Sequence, residues 1–277
     1  PGDRMELIVF DLDGTLLNRR SEVSEHTRET LSRLGEQGIA YTVATGRTLH
    51  ASRDLLEGHG FVLPHIYKNG VMIWQPGSGE YSHSNLLTNA EIRRVFQAFM
   101  DQGVTPFIFT VEPGNRHAVY HPPLQTEAEH NLARIFGKER GLELLPVAEL
   151  PADADISNIS ALGKREAIEA VERLVGEEEH LVAYAGVAIE GEHLHWVDIH
   201  HSAASKGDAV AQLKMDRGVS RVICFGDSDN DLSMFALADE SYAPSNAKEE
   251  VKAAATAVIG HHDEDGISSF LRERFLL

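Results

Sequence analysis

The chain has 277 residues, enough for one large domain or two modest ones, and its apolar content is that of a soluble globular protein. Its formal net charge of −18 argues against a nucleic-acid-binding surface, because lysine and arginine are needed to neutralise phosphate backbones. One cysteine excludes an intrachain disulfide, and no run approaches the roughly 18 apolar residues that span a bilayer. We expect a cytoplasmic protein that binds neither nucleic acid nor membrane.

The first predicted element is a buried strand over residues 7–10, followed at once by Asp11-Leu12-Asp13-Gly14-Thr15. Open α/β sheets bind ligands at the carboxyl ends of their strands, where Asp11 and Asp13 lie. Two carboxylates this close repel each other unless a cation or a shared proton intervenes. One can act as nucleophile while its neighbour transfers protons. The alternative is an Asp-rich turn in which Gly14 only supplies backbone freedom.

Strand and helix patterns then alternate, as in a βαβ sheet. The second predicted strand, over 39–44, ends in Thr45-Gly46-Arg47. A hydroxyl and free backbone N–H groups at such a turn can bind phosphate oxygens, although Thr-Gly alone is common in turns. The other elements predicted in this part are helices over 24–37 and 48–57, and short strands over 66–74 and 80–82.

The pattern changes near residue 86, where roughly 110 residues combine helices with two β-hairpins. We predict that residues 85–190 form an inserted α/β domain, and that 1–84 and 191–277 together form a discontinuous core. Residues 1–4 precede a methionine and are taken as a leader or remnant outside the fold. The helices predicted between residues 86 and 199 are 89–102, 124–137 and 164–175, and the predicted strands are 106–111, 117–121, 156–162, 181–187 and 193–199.

After the insert, Ser205-Lys206-Gly207 opens a predicted helix over 206–217. A cation is disfavoured at a helix N-terminus, so this lysine is expected to have a function, the alternative being a solvated surface lysine. The last core elements are a helix over 232–238, short strands over 240–243 and 257–259, and a final helix.

The last motif is Gly226-Asp227-Ser228-Asp229-Asn230-Asp231, which follows a predicted strand over 219–225. Its three carboxylates within five residues predict a site for a hard cation with oxygen ligands. The 12-residue calcium-loop pattern with its terminal Glu is absent, so an EF-hand fits poorly. Asp229 is expected to be the solvated carboxylate of the three.

These four motifs, in this order, resemble those of the haloacid dehalogenase-like hydrolase superfamily. The α/β insert between the second and third motifs resembles the class IIB cap of the Cof-like phosphatases, as do Pro244-Ser245-Asn246-Ala247 and Asp265-Gly266-Ile267. The resemblance covers nearly the whole chain. It implies a doubly wound, Rossmann-like parallel sheet with an inserted α/β cap.

The resemblance also implies a role for each motif. Asp11 would attack phosphorus and form an aspartyl-phosphate, while Asp13 would protonate the leaving alcohol and then activate water. Phosphoryl transfer depends on positioning and charge neutralisation, which a cation and a lysine supply. The implied phosphate-binding residues are Thr45, Gly46, Lys206 and Asn230; the implied Mg²⁺ ligands are Asp11, the backbone carbonyl of Asp13, and Asp227; and Asp231 would orient the lysine or a metal-bound water.

The implied activity is Mg²⁺-dependent hydrolysis of small phosphorylated metabolites, with sugar phosphates as the leading class of substrate. Substrate choice is expected to depend on residues 86–190. One alternative is a phosphomutase, which would share all four motifs, and another is a non-catalytic binding protein on the same scaffold. The pairs His200-His201 and His261-His262 are attributed to chance rather than to a transition-metal site, because the chain contains 15 histidines. The sequence leaves the oligomeric state open.

Overall fold

The computed structural model describes residues 5–188 and 193–277. Close packing divides the chain into two compact units, Pro1–Ser82 with Ala204–Leu277, and His83–Ala203. The predicted leader at 1–4 and the predicted boundary at 190–191 lie outside the described residues. The strand Leu194–His201 falls beyond that boundary, yet it belongs to the second unit because both of its neighbouring strands lie there.

The two units are built from the following elements in chain order. The strands are β1 Glu6–Phe10, β2 Ala40–Val43, β3 His65–Tyr67, β4 Met72–Trp74, β5 Tyr81–His83, β6 Phe107–Glu112, β7 Arg116–His121, β8 Glu143–Pro146, β9 Asp155–Lys164, β10 Leu181–Val187, β11 Leu194–His201, β12 Arg221–Phe225, β13 Glu240–Pro244 and β14 Ala257–Ile259. The helices are α1 Glu25–Glu36, α2 Leu49–Leu56, α3 Asn89–Asp101, α4 Glu127–Arg134, α5 Arg165–Gly176, α6 Lys206–Arg217, α7 Leu232–Leu237, α8 Glu249–Ala254 and α9 Gly266–Phe275.

A five-stranded parallel sheet forms the centre of the first unit, in the order β14-β13-β12-β1-β2. Alternate side chains of β1 lie on opposite faces of this sheet. Ile8 and Phe10 pack in a cluster with residues of α1 and α9, and Leu7 and Val9 pack in another with residues of α6 and α7. Helices therefore cover both faces, which explains the unbroken apolar run of β1 and confirms the predicted doubly wound class.

The strand order reverses at β1. The chain runs from β1 to β2 on one side, whereas β12, β13 and β14 follow one another on the other side. Such a switch point leaves a crevice outside the carboxyl ends of the central strands. Three of the four motifs lie at the carboxyl ends of β1, β2 and β12, so the topology brings them to one edge.

The second unit contains a six-stranded sheet in the order β10-β11-β9-β6-β7-β8. Its neighbouring strands are antiparallel except β7 and β8, which run parallel. Residues of α3 and α5 form a hydrophobic cluster with β6, β9 and β11, while α4 and the turn Ile135–Glu139 pack against Phe107 and Phe109. The insert is thus mixed α/β with antiparallel pairing, as predicted.

Side-chain caps explain where several of the helices begin. Thr88 and Glu91 form a reciprocal capping box at the start of α3, and Thr126 caps α4. The predicted helix over 124–137 is therefore too long at its beginning, and beyond Arg134 it changes to the wider turn Ile135–Glu139. The strand β8 and the helix α8 were missed by the sequence analysis.

The predicted strand over 66–74 is wrong in its middle. Lys68, Asn69 and Gly70 have positive φ angles of 51°, 54° and 100°. This left-handed turn reverses the chain, so that β3 and β4 pair as a short antiparallel hairpin. The segment is two strands instead of one.

Among residues 5–188 and 193–277, no helix has both the length and the hydrophobicity required to cross a bilayer.

The core of the second unit can be tested at Phe99, whose side chain is fully buried in the hydrophobic cluster that α3 and α5 form with β6, β9 and β11. Phe99→Ala should lower the free energy of unfolding by about 3–5 kcal/mol, because it removes apolar contacts and leaves a cavity. The neighbouring Met100 is 38% exposed, and Met100→Ala should cost less than about 1 kcal/mol. Urea unfolding of both variants measures this difference; equal losses would contradict the assigned core.

Candidate active site

The first motif forms a tight turn directly after β1. The backbone N–H of Asp11 donates to the carbonyl of Phe225 at 3.0 Å, and the Asp11 carboxylate accepts the N–H of Leu12 at 2.8 Å. Gly14 has a φ of 72°, and a Cβ atom there would lie 2.3 Å from Oδ2 of Asp227. Glycine therefore allows the first motif to lie directly against the fourth.

Lys206, the first residue of α6, lies between two carboxylates. Its side chain is fully buried, with Nζ 3.0 Å from Asp11 Oδ1 and 2.7 Å from Asp231 Oδ1. Burial opposes the charge of the ammonium group, but the two carboxylates outweigh it and raise the pKa of Lys206. The lysine is therefore a buried cation of the site, and the alternative of a solvated surface lysine is wrong.

Three carboxylates gather around this lysine. Ligand oxygens of Asp11, Asp227 and Asp231 all lie within 4.8 Å of one another. Burial raises the pKa of Asp11 and of Asp231 to about 7 in each case, with Lys206 opposing the shift. Burial, followed by the charge of Asp231, also raises the pKa of Asp227. The negative charge exceeds that of one lysine, and an all-oxygen set of this kind suits a hard divalent cation.

Asp231 has both of its carboxylate oxygens engaged within the protein. Oδ1 accepts from Lys206, and Oδ2 accepts the backbone N–H groups of Asp227 at 2.9 Å and Ser228 at 3.1 Å. Asp227 in turn accepts the hydroxyl of Thr15 at 3.0 Å. These contacts fit the predicted orienting role of Asp231 better than direct binding of a cation.

Asp13 lies apart from this carboxylate cluster. Its side chain is 54% exposed and forms a bidentate ion pair with Arg47, at 2.7 Å from Nε and 2.8 Å from Nη2. Nη1 of Arg47 donates to the carbonyl of Ala51 in α2 at 2.8 Å. Sequence reasoning gave Arg47 no role, although it is the third residue of the Thr-Gly-Arg motif.

The predicted phosphate-binding residues Thr45, Gly46 and Asn230 meet around Asn69. Nδ2 of Asn230 donates to Oδ1 of Asn69 at 3.0 Å. A Cβ atom on Gly46 would lie 3.3 Å from Asn69 Oδ1 and 3.6 Å from Asn230 Nδ2. Sequence reasoning missed Asn69; the signal that could have found it is the turn dipeptide Asn69-Gly70.

Asp229 and Asn246 complete the surroundings of the fourth motif. Asp229 pairs with Lys248 at 2.7 Å, and both side chains are exposed. Nδ2 of Asn246 donates to the carbonyl of Gly14 at 2.9 Å, and its Oδ1 accepts the N–H of His262 at 3.0 Å. Asn246 therefore connects the first motif to the C-terminal part of the chain, a role that the sequence did not predict.

The second unit holds another cluster, formed by Glu91, His180 and His201, whose ligand atoms also lie within 4.8 Å of one another. However, Nδ1 of His201 accepts the N–H of Ala203 at 3.0 Å. The neutral ring then carries its proton on Nε2, the nitrogen that lies 3.8 Å from the Glu91 carboxylate. This arrangement favours a contact between His201 and Glu91 over metal ligation.

A doubly wound sheet with this set of loops defines a class of hydrolases. Residues 8–271 match the family described as haloacid dehalogenase-like hydrolase, so the chain belongs to that family. The resemblance drawn from the four motifs is confirmed.

Two curated relatives match this chain over nearly the whole length of both proteins. The chain is 27% identical to a 5-amino-6-(5-phospho-D-ribitylamino)uracil phosphatase of Bacillus subtilis, covering 96% of this chain and 97% of the relative. It is 26% identical to the pyridoxal phosphate phosphatase of Escherichia coli, again covering 96% and 97%. The expected enzyme class, a phosphatase of the haloacid dehalogenase type, is confirmed.

Solved structures show the same fold. A haloacid dehalogenase-like hydrolase from Bacteroides thetaiotaomicron is 25% identical and gives a TM-score of 0.73, covering 98% of this chain and 99% of that one. A sugar phosphatase of subclass IIB gives a TM-score of 0.76 at 21% identity, covering 98% and 100%. The latter likeness shows the fold alone, and it confirms the predicted subclass IIB architecture.

The raised pKa values predict how stability responds to pH and Mg²⁺. The ordinary pKa of 3.8 rises to about 7 for Asp11 and Asp231 in the folded protein. Between these values the folded protein holds protons that the unfolded chain has released, so these groups make the metal-free protein less stable as pH rises. A divalent cation binds the ionised carboxylates. The increase in Tm caused by Mg²⁺ should therefore be larger at pH 8 than at pH 5.

Thermal unfolding with EDTA or with Mg²⁺ at each pH measures this increase. Asp229→Asn serves as the control, because Asp229 lies outside the cluster of Asp11, Asp227 and Asp231. In this variant the Mg²⁺-induced increase in Tm should still be larger at pH 8 than at pH 5. An Mg²⁺-induced shift in Tm that is the same at both pH values would contradict the assigned cation site.

Proposed function

We propose that this protein is an Mg²⁺-dependent phosphomonoesterase that acts on small phosphorylated metabolites, with sugar phosphates as the leading class, through an aspartyl-phosphate on Asp11. The observation that carries the proposal is the buried Lys206, held between Asp11 and Asp231 beside Asp227. The named activities of the curated relatives, which are phosphatases of small phosphorylated compounds, support the substrate class.

In the first step, a carboxylate oxygen of Asp11 attacks phosphorus, and the ester P–O bond breaks. Lys206 and the N–H of Leu12 both donate to Oδ1 of Asp11, which holds the carboxylate in one orientation. The leaving oxygen takes a proton from Asp13. In the second step, water attacks the aspartyl-phosphate while Asp13 accepts its proton, so that phosphate is released and the Asp11 carboxylate returns.

The ion pair with Arg47 bears on the double role of Asp13. A carboxylate that accepts two guanidinium N–H groups is the form needed to take a proton from water in the second step. A protonated carboxyl no longer offers two such acceptors, so the pair has to open before Asp13 donates its proton. Arg47 thus acts on Asp13 and not on the phosphoryl group in this scheme.

Mg²⁺ fits the carboxylate cluster because its donors are all oxygen and their negative charge exceeds that of the single lysine. Asp11, Asp227 and the backbone carbonyl of Asp13 would hold the ion, with Asp231 orienting the lysine. When bound, the cation would neutralise charge on the carboxylates and on the transferred phosphoryl group. Thr45, Gly46 and Asn230 would hold phosphate oxygens.

We assign the role of a class IIB cap to the α/β insert, predicted as residues 85–190. Its place between the second and third motifs and its mixed sheet support this assignment. Residues 86–190 would then select the leaving group. A cytoplasmic location remains part of this proposal.

The nucleophile is tested by Asp11→Asn. An amide is a far weaker nucleophile than a carboxylate, so turnover of p-nitrophenyl phosphate with Mg²⁺ should fall by at least about 10³-fold. The matched control is Asp229→Asn in the fourth motif, which removes an exposed ion pair and should keep activity within about 3-fold. Comparable activity in Asp11→Asn and the wild type would refute the assignment.

Hydrolysis and phosphomutase activity differ in their products. Incubation of the protein with a hexose 1-phosphate and Mg²⁺ should release inorganic phosphate and free hexose, because water takes the phosphoryl group from Asp11. Phosphate release and phosphorus NMR measure both outcomes. An isomerised hexose phosphate without free phosphate would show a mutase instead.

A further inference from the structure

We propose that Asn69 is a positioning residue for phosphate binding, acting through Asn230. This inference rests on the proposed function, in which Asn230 binds the phosphoryl group. Asn69 belongs to none of the four motifs and lies in the left-handed turn between β3 and β4. We refer to the turn Lys68–Gly70 as the bracing turn.

The bracing turn has an unfavourable backbone that its surroundings maintain. Two of its residues, Lys68 and Asn69, are not glycine, yet both have left-handed φ angles. Such conformations are unfavourable for residues with a Cβ atom and persist where neighbouring contacts determine them. Here the N–H of Lys68 donates to the carbonyl of Arg47 at 2.9 Å, and that of Asn69 donates to the carbonyl of Thr45 at 3.0 Å. The turn is thereby bound to the second motif.

The same turn also contacts the start of α6. A Cβ atom on Gly70 would lie 2.4 Å from the carbonyl oxygen of Ser205, the residue that caps this helix and precedes Lys206. Gly70 has a φ of 100°, which residues with side chains rarely adopt. The close approach places the bracing turn against the third motif.

The side chain of Asn69 reaches the fourth motif. It is only 3% exposed, and its Oδ1 accepts from Nδ2 of Asn230. Within the described residues, Oδ1 of Asn230 is buried and accepts no hydrogen bond. The hydrogen bond that Asn230 donates to Asn69 therefore fixes the Asn230 amide, whose terminal torsion otherwise has broad freedom. It engages one N–H of Nδ2 and leaves the second for a phosphoryl oxygen.

The bracing turn thus contacts the second, third and fourth motifs, on the side of the site assigned to phosphate. The carboxylate cluster of Asp11, Asp227 and Asp231 has its own contacts, through Lys206, Thr15 and backbone N–H groups. Loss of the Asn69 side chain should therefore weaken the binding of phosphate and leave the binding of Mg²⁺ unchanged.

Asn69→Gly separates the side chain from the backbone, because glycine adopts a φ of 54° without strain. We expect kcat/KM for p-nitrophenyl phosphate to fall about 10-fold and the Ki of inorganic phosphate to rise about 10-fold, as for a lost hydrogen bond in a buried site. The Mg²⁺ concentration for half-maximal activity should stay unchanged, and the Tm should fall by only a few degrees, because one buried hydrogen bond is lost. Ser21→Gly is the matched control, because Ser21 has a similar φ of 58° in a loop outside the motifs.

A double-mutant cycle shows whether Asn69 acts through Asn230. The variants are Asn69→Gly, Asn230→Ala and the two combined, each measured for kcat/KM, for phosphate inhibition and for Tm. If Asn69 positions Asn230, the double variant should be no worse than Asn230→Ala alone. Fully additive losses, or an Asn69→Gly variant with wild-type phosphate inhibition, would overturn the inference.

Failure of the inference can be told apart from failure of the proposed function. An active wild type together with an unaffected Asn69→Gly variant refutes the role of Asn69 and leaves the phosphatase intact. A wild type that hydrolyses no phosphate ester and binds no inorganic phosphate by calorimetry refutes both.

Discussion

A single buried ammonium group constrains the whole candidate site. Lys206 is removed from water and is held by Asp11 after β1 and by Asp231 after β12. Removing one partner of such a buried ion group leaves a charge without compensation, which costs about 3–5 kcal/mol. The N-terminus of α6 must therefore lie against the carboxyl ends of β1 and β12. The first, third and fourth motifs are brought together by the same contact.

The charges around this lysine explain the chemistry that we propose. Three carboxylates, of which Asp11 and Asp231 are buried and Asp227 is half-buried, face one cation, so the metal-free site either retains protons near neutral pH or binds a divalent ion. The arriving substrate is itself an anion, and Lys206 together with the bound cation would offset its repulsion by Asp11. Asp13 is kept apart from this cluster by Arg47, which suits a group that transfers protons without binding the phosphoryl group.

The sequence predicted the placement of the motifs because parallel strands share one edge at their carboxyl ends. Asp11, Lys206, Asp227 and Asp231 meet there, as expected from the order of the elements. Asn69 and Arg47 were missed because their contacts depend on loop conformation. The left-handed turn at Asn69 was predicted as continuous strand. The guanidinium group of Arg47 pairs with Asp13, which lies 34 residues earlier in the sequence. The strand β8 was missed because it forms through a partner, β7, that lies more than 20 residues away in sequence.

The central claim is that Lys206 holds Asp11 as the nucleophile, and trapping the phosphoryl-enzyme tests it most directly. Asp13→Asn, in which water is no longer activated, can be mixed with labelled p-nitrophenyl phosphate and Mg²⁺, because the p-nitrophenolate leaving group needs no proton from Asp13. The mixture is quenched in acid and digested at acidic pH, and its peptides are analysed by mass spectrometry. We expect a phosphoryl group on the peptide that contains Asp11, and none when Lys206 is also replaced by Met. A phosphoryl group on another residue, or equal labelling without Lys206, would contradict it.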